Sequence, residues 1–243
     1  MRIVYATWLD ASTTDLPLFL SQAWERLGVD VHLLPFDLEF LSRPGAKLLR
    51  SAGLFHEDDC VRIRLFGKKI ERYCARTRPD ILLLGGDFLA PCQIERIASR
   101  CGCLVGDIIG YNDLFRWPNN ENIPLYDFVF VHDSYLVPVL EGQGVRGRRF
   151  AFWMPFAAEP REHRPLGLSK RDRRRYGADV VFIGRPSVER VASLRRLTRH
   201  KIKIWGTSDW RGVEGLAECY TDEPVYGLKK TKIYNAATIV LNI

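Results

Sequence analysis

The sequence predicts an α/β chain built on mostly parallel sheets, and three features of it carry that expectation. Short β-rich apolar runs alternate with segments of helical periodicity from the first residues to the last. Residues 81–84 (Ile-Leu-Leu-Leu) are consecutive apolar residues, the pattern of a strand buried on both faces. Residues 157–177 then shift to Pro, Gly and Arg with few large apolar side chains, which divides the alternation into two blocks.

The elements follow in order. Residues 3–6 read as a buried strand, and Phe19, Leu20, Ala23, Trp24 and Leu27 recur at helical spacing until Gly28 stops the helix. Residues 29–34 form the next strand. Residues 37–59 are irregular, with a turn at Pro44-Gly45, and Ile63, Phe66, Ile70, Tyr73 and Cys74 then mark a helix that ends before Pro79. After the strand at 81–84 come a helix over 94–98, strands at 103–108 and 128–132, a helix ending near Gly142 or Gly144, and a strand at 149–155. The second block has a strand at 180–183, a helix carrying Val188, Val191, Leu194 and Leu197, a strand at 202–205, a helix over 228–237 and a strand at 238–243. The expected organisation is a first domain over 1–156, a basic connection over 157–177, and a second domain over 178–243. Strand 238–243 has the composition of an interior strand, so the second domain is expected to be incomplete, the first half of a larger lobe in a truncated chain.

The chain has 243 residues, 47% of them hydrophobic, enough for a substantial core, so disorder is excluded as the general state. Its formal charge is +7, and residues 146–175 alone hold ten Lys and Arg against three Asp and Glu. The excess therefore belongs to one segment, suited to a phosphorylated ligand, nucleic acid or an anionic membrane. Six cysteines show no CxxC pair, and Cys101-Gly102-Cys103 is too tight for a zinc knuckle, which predicts reduced thiols and a cytoplasmic protein. No basic stretch followed by an apolar one opens the chain, and no apolar run reaches the ~20 residues that span a bilayer. Contact with membranes is expected only at the periphery.

In open α/β sheets, ligands meet residues just beyond the carboxyl ends of strands. In the first block these are Thr7 and Trp8; Gly85, Gly86 and Asp87; Asp107 with Tyr111, Asn112 and Asp113; and His132 with Asp133 and Ser134. Each alone suits a turn or a helix cap. Together they form a rim able to bond hydroxyls, stack on a sugar face and supply a base. In the second block, the strand at 180–183 runs into Gly184-Arg185-Pro186-Ser187, where a glycine lets a phosphate approach the N–H groups of a helix start and Arg185 adds a charge-assisted bond. No GxGxxG follows either opening strand and no GxxxxGK[ST] loop exists, which disfavours NAD-linked oxidation and P-loop chemistry. His56-Glu57-Asp58-Asp59 lacks a partner motif and reads as a solvated loop, so no metal site is expected. Neither Cys60 nor Cys219 lies in a nucleophile elbow.

Three strings of the second block, DVVFIGRPSVERVASLRRL, KIKIWGTSDW and VYGLKKTKIYNAATIVLNI, resemble in order and spacing the C-terminal lobe of the CgeB-like spore maturation glycosyltransferases. PDILLLGGDFL, GDIIGYNDLF, YDFVFVHDSYLVPVLEGQGV and FWMPFAAEPREHRP resemble the N-terminal domain of that family more distantly. The resemblance implies a GT-B-like fold of two Rossmann-like lobes, a nucleotide-sugar donor on the C-terminal lobe and an acceptor on the N-terminal lobe, with no cofactor beyond the donor. It places Gly184 and Arg185 at the diphosphate, Trp205 and Gly206 near the nucleoside, and Tyr226, Lys232, Tyr234 and Asn235 around the donor pocket. Asp107, Asp113 and His132 become candidates for a base or acceptor clamp. The implied reaction is attack of an acceptor hydroxyl, on a glycan, a protein or a small molecule, at the anomeric carbon. The family continues past the LNI strand with a donor-contacting segment, which puts in doubt transfer by these residues alone. A competing reading is a noncatalytic protein whose segment 146–175 grips nucleic acid or an anionic membrane. Sparse aromatic interleaving there argues against specific recognition of nucleic acid.

Overall fold

The computed structural model describes residues 1–9, 15–37, 60–86, 89–109, 119–142, 151–221 and 224–243. The chain divides into two compact units, Met1–Ala157 and Ala158–Ile243.

The first unit contains β1 (Arg2–Leu9), α1 (Asp15–Arg26), β2 (Asp30–Asp37), α2 (Cys60–Thr77), β3 (Ile81–Gly85), α3 (Pro91–Cys101), β4 (Leu104–Ile109), α4 (Asn119–Asn122), β5 (Phe128–Val131), α5 (Leu136–Gly142) and β6 (Ala151–Trp153). The strands form one parallel sheet in the order β2-β1-β3-β4-β5-β6. Leu82, Leu83 and Leu84 are all buried. They alternate between two clusters: Leu82 and Leu84 pack with Val4, Ile70, Ile94, Val105 and Val129, while Leu83 packs with Ile3, Tyr5 and Ile108. Each fully buried aliphatic side chain of this kind stabilises the fold by roughly 1.5–3 kcal/mol. That two-sided burial is why the run at 81–84 carries no polar alternation.

The second unit contains α6 (Lys170–Tyr176), β7 (Ala178–Ile183), α7 (Val188–Arg195), β8 (Ile202–Trp205), α8 (Gly227–Ala236) and β9 (Ala237–Leu241). Its sheet is parallel, in the order β8-β7-β9. Val180, Phe182, Leu194, Ile204 and Trp210 pack on one face, and Val181, Trp205, Val225 and Ile233 on the other. The fold is thus the mostly parallel α/β type that the alternation predicts, with a six-stranded sheet and a smaller second one.

Residues 157–177 differ from the expected open connection. Part of the stretch is α6, capped by the Ser169 hydroxyl, which accepts from the Asp172 N–H at 3.0 Å. Asp172 pairs with Lys232 of α8 at 3.2 Å, and the Leu166 N–H donates to Asn235 Oδ1 at 2.8 Å. A Pro, Gly and Arg composition signals exposure, and most of the arginines are exposed, but it does not preclude folding back onto a neighbour. Among the described residues no helix is long and apolar enough to cross a membrane.

Candidate functional site at the carboxyl edges of the sheets

The second sheet has its chain reversal at β7. The chain leaves β7 through α7 to β8 on one side and reaches β9 through α8 on the other. Such a switch point opens a crevice beyond the carboxyl end of the central strand. Gly184 stands there. Its N–H donates to the Trp205 carbonyl at 3.0 Å, and its own carbonyl accepts from the Trp210 indole N–H at 2.8 Å. Trp210 is fully buried, edge-on to Phe182. Gly206 faces the same carbonyl with φ +156°, and a Cβ on it would collide with Gly184 O. Two glycines and one indole therefore set the spacing between the turns after β7 and β8.

Arg185 follows on the surface, exposed. Beside it, Arg190 donates from Nη1 to the Arg185 carbonyl at 3.0 Å and from Nε to the Ile243 carbonyl at 2.9 Å, with its guanidinium over the Phe182 ring. This cation at the turn escaped the sequence reading. Its position three residues past the helix cap Ser187, on the first turn of α7, is the signal that would have found it. Ser187 Oγ accepts from the Arg190 N–H at 3.3 Å and donates to Glu189 Oε2 at 2.8 Å. Glu189 also accepts its own backbone N–H, and this bond, followed by that from Ser187, holds its carboxyl below the usual glutamate range. The positive end of α7 thus already carries an internal carboxylate, which a phosphate has to share or displace.

Of the residues expected in a donor pocket, the structure gathers Gly184, Arg185 and Gly206 at this edge. Tyr226 is the N-cap of α8 and is a partly exposed residue, 38% accessible. Trp205 is 3% exposed and packs with Tyr176, Val181, Val225 and Ile233, so its ring is a core element and not a nucleoside-facing surface. Lys232, Tyr234 and Asn235 lie on the later turns of α8. Asn235 is two residues before Ala237, which pairs with Ala178 at the amino end of β7. Gly184 stands just past the other end of β7, six residues and about 20 Å from Ala178 at ~3.3 Å per residue. Asn235 donates to the carbonyls of Arg164 and Thr231, Lys232 pairs with Asp172, and Tyr234 lies beneath Lys230. These are ties within the unit, which helical position alone does not distinguish from ligand contacts.

The first sheet reverses between β1 and β3. There Thr7 Oγ1 donates to the Gly85 carbonyl at 3.0 Å, and the Tyr5 hydroxyl and Thr7 side chain share a hydrogen bond. Burial pushes the Tyr5 phenol up to about 12. A Cβ on Gly85 would overlap both hydroxyls, so the glycine makes room for them. Asp107 departs from its expected place on the rim. It lies inside β4, is 0% exposed, and its Oδ1 accepts from the Ile108 N–H at 2.8 Å, because the strand continues to Ile109. A carboxylate enclosed in a strand does not reach an acceptor hydroxyl. Asp113 lies outside the described residues, as do His56, Glu57, Asp58 and Asp59.

His132 follows β5 directly. Its Nδ1 is 2.9 Å from the Met154 carbonyl, and its ring stacks on Phe156 with centroids 4.1 Å apart. A carbonyl only accepts, so Nδ1 carries the proton and Nε2 is left as the basic nitrogen of the neutral ring. Asp133 accepts the Tyr135 N–H at 3.0 Å and shapes the turn beyond it. Among the described residues no group of three or more His, Cys, Asp or Glu comes together as a metal site.

No protein-family model and no curated protein sequence matches the chain. Solved structures do match it. UDP-N-acetylglucosamine 2-epimerase from Rickettsia bellii aligns with a TM-score of 0.60 at 11% identity, covering 99% of this chain and 73% of that one. The UDP-GlcNAc 2-epimerase of Methanocaldococcus jannaschii aligns at 0.58 and 13%, covering 99% and 78%. The enzyme from Neisseria meningitidis, bound to UDP-GlcNAc, aligns at 0.58 and 10%, covering 99% and 76%. At such identities the likeness is one of fold, and it shows that the chain has the GT-B-like, Rossmann-type α/β architecture of these UDP-sugar enzymes.

Proposed function

We propose that the chain belongs to a nucleotide-sugar-utilising enzyme of the cytoplasm and, more narrowly, to a glycosyltransferase of the CgeB-like kind. The observation that carries the reading is the turn at Gly184, a glycine after the central strand at the switch point, beside a helix start and two arginines. Proteins sharing the fold over 99% of this chain act on UDP-sugars, which supports a nucleoside diphosphate at that turn.

In this reading Arg185 holds the diphosphate beside Gly184, and Gly206 and Tyr226 border the nucleoside side. The acceptor hydroxyl gives its proton to a base, a role for which the first unit by itself offers His132 Nε2. The acceptor oxygen bonds to the anomeric carbon, the bond from that carbon to the phosphate oxygen breaks, and the electron pair leaves with the diphosphate. Arg185 stabilises the departing charge. No cofactor beyond the donor enters this scheme.

The matched epimerases favour a second reading, in which a UDP-sugar is epimerised without an acceptor. Calorimetric titration with UDP, GDP and TDP and their sugars tests the donor site. Saturable binding that Arg185→Ala weakens by about tenfold supports it, and absence of binding to every nucleotide refutes it. Proton NMR of the sugar then separates the readings: nucleoside diphosphate released only with an acceptor means transfer, and an inverted C2 without an acceptor means epimerisation.

A further inference from the structure

The last arginines of the basic segment 146–175 join other cations on a surface of the second unit. Arg173, Arg174 and Arg175 are exposed on the last turn of α6, which leads through Gly177 into the amino end of β7. Arg199 and Lys201, both exposed, stand immediately before β8. The two groups are stitched together. The Lys203 ammonium donates to the Arg175 carbonyl, the Asp179 N–H donates to the Lys201 carbonyl at 2.9 Å, and the Lys201 N–H donates to Asp179 Oδ2 at 2.9 Å. These cations therefore lie side by side at the amino edge of the sheet. Of the carboxylates beside them, Asp172 is paired with Lys232, while Asp179 accepts the Lys201 N–H and leaves one negative charge against five cations. Lys203, between the two groups, has its ammonium held below its usual value first by burial and then by the charge of Lys201.

We propose that this amino edge is a docking face for an anionic lipid bilayer. Closely spaced arginines and lysines on an exposed edge match a continuous layer of phosphate headgroups, each cation contributing separately. Nucleic acid fits the face less well. The aromatic residue of α6, Tyr176, is buried with the Arg175 guanidinium over its ring, which leaves it no face for stacking bases. Helix α6 is tied to α8 through Asp172 and Lys232, so it does not project to enter a major groove. The face is also at the opposite edge of the sheet from Gly184, so membrane docking and ligand binding at that turn do not compete.

The test is cosedimentation of the whole chain with vesicles of phosphatidylcholine alone and with about one third phosphatidylglycerol. The face predicts at least about a hundredfold stronger partition onto the anionic vesicles, lost progressively as salt rises from about 50 to about 300 mM. Arg173→Ala, Arg174→Ala and Lys201→Ala combined should lower that partition by about a hundredfold, near fivefold per cation, with unchanged circular dichroism. The salt titration needs no variant and so stands if the triple variant misfolds. Equal partition onto both vesicles, or a folded triple variant that partitions like the parent, overturns the proposal. So does a random oligonucleotide that binds at lower concentration than the anionic vesicles and is released by the same substitutions.

Discussion

The Trp210 indole N–H donates to the Gly184 carbonyl at 2.8 Å, across 26 residues of sequence, and thereby ties the turn after β8 to the turn after β7. Trp210→Phe removes the donor together with part of the buried indole. It is expected to lower stability by at least about 2 kcal/mol, the lost hydrogen bond and the void adding to one another. Gly206→Ala should cost more than about 2 kcal/mol, because its methyl group meets the same carbonyl oxygen. Urea denaturation of the two variants measures both, and a Gly206→Ala variant as stable as the parent contradicts the geometry.

The Glu189 carboxylate at the start of α7 gives a prediction opposite to ordinary intuition about helix caps. If a diphosphate uses that helix end, Glu189→Gln removes a competing anion and should tighten UDP binding about threefold while slightly loosening the helix. Calorimetry reads the affinity. Weaker binding in the variant would place the phosphate elsewhere.

Lys232 is expected to matter for stability and not for nucleotide affinity, since its partner is Asp172. The hydrogen bond from Lys232 is the main reason the Asp172 carboxyl is held below its usual value. A depressed carboxyl stabilises the fold above its unfolded value and ceases to do so as pH falls through the folded one. The parent should therefore lose a small increment of stability on acidification below the ordinary aspartate range, and Lys232→Ala should lose less of it. A fall in UDP affinity for Lys232→Ala would return this residue to the donor pocket.

Tyr5 links burial to alkaline stability. Its phenol is raised from 10.0 to about 12, chiefly by burial, so the neutral form is favoured in the folded state. The resulting stabilisation is complete below the ordinary tyrosine value and is lost as pH rises from 10 to 12, an effect of about 2 kcal/mol. Tyr5→Phe should flatten the alkaline limb of the stability profile by that amount. Equal limbs in parent and variant would show that Tyr5 titrates normally.

The cysteines should react in order of exposure. Burial pushes the Cys74 thiol up to about 12 and Cys103 up to about 11, whereas Cys92 is exposed near the start of α3. Maleimide labelling followed by peptide mass spectrometry should modify Cys92 at least about a hundredfold faster than Cys74 or Cys103. Comparable rates would mean that the cluster around Cys74 opens readily.

The alternation of apolar runs and helical patterns was enough to place nearly every described element, because periodicity and turn residues act within a few neighbours in the chain. Ile81 to Leu84 announced a strand covered on both faces, and Gly184 announced a turn. Contacts made across long stretches of chain were not legible in that way. Asp107 lies within the strand expected at 103–108, and pairing of β4 with β3 and β5 encloses its carboxylate, which the sequence reading sets on the rim. Trp205 and Lys232 have residue types suited to a ligand, but packing against Val225 and Ile233 claims the first and Asp172 claims the second. Trp210 gained its role only when the turns after β7 and β8 came together, and Arg190 gained part of its own from the Ile243 carbonyl beyond β9. Local pattern thus determined the order and kind of the elements. Which side chains share an edge was decided by the tertiary fold, since hydrogen bonds and charge pairs depend on distances that no sequence window contains.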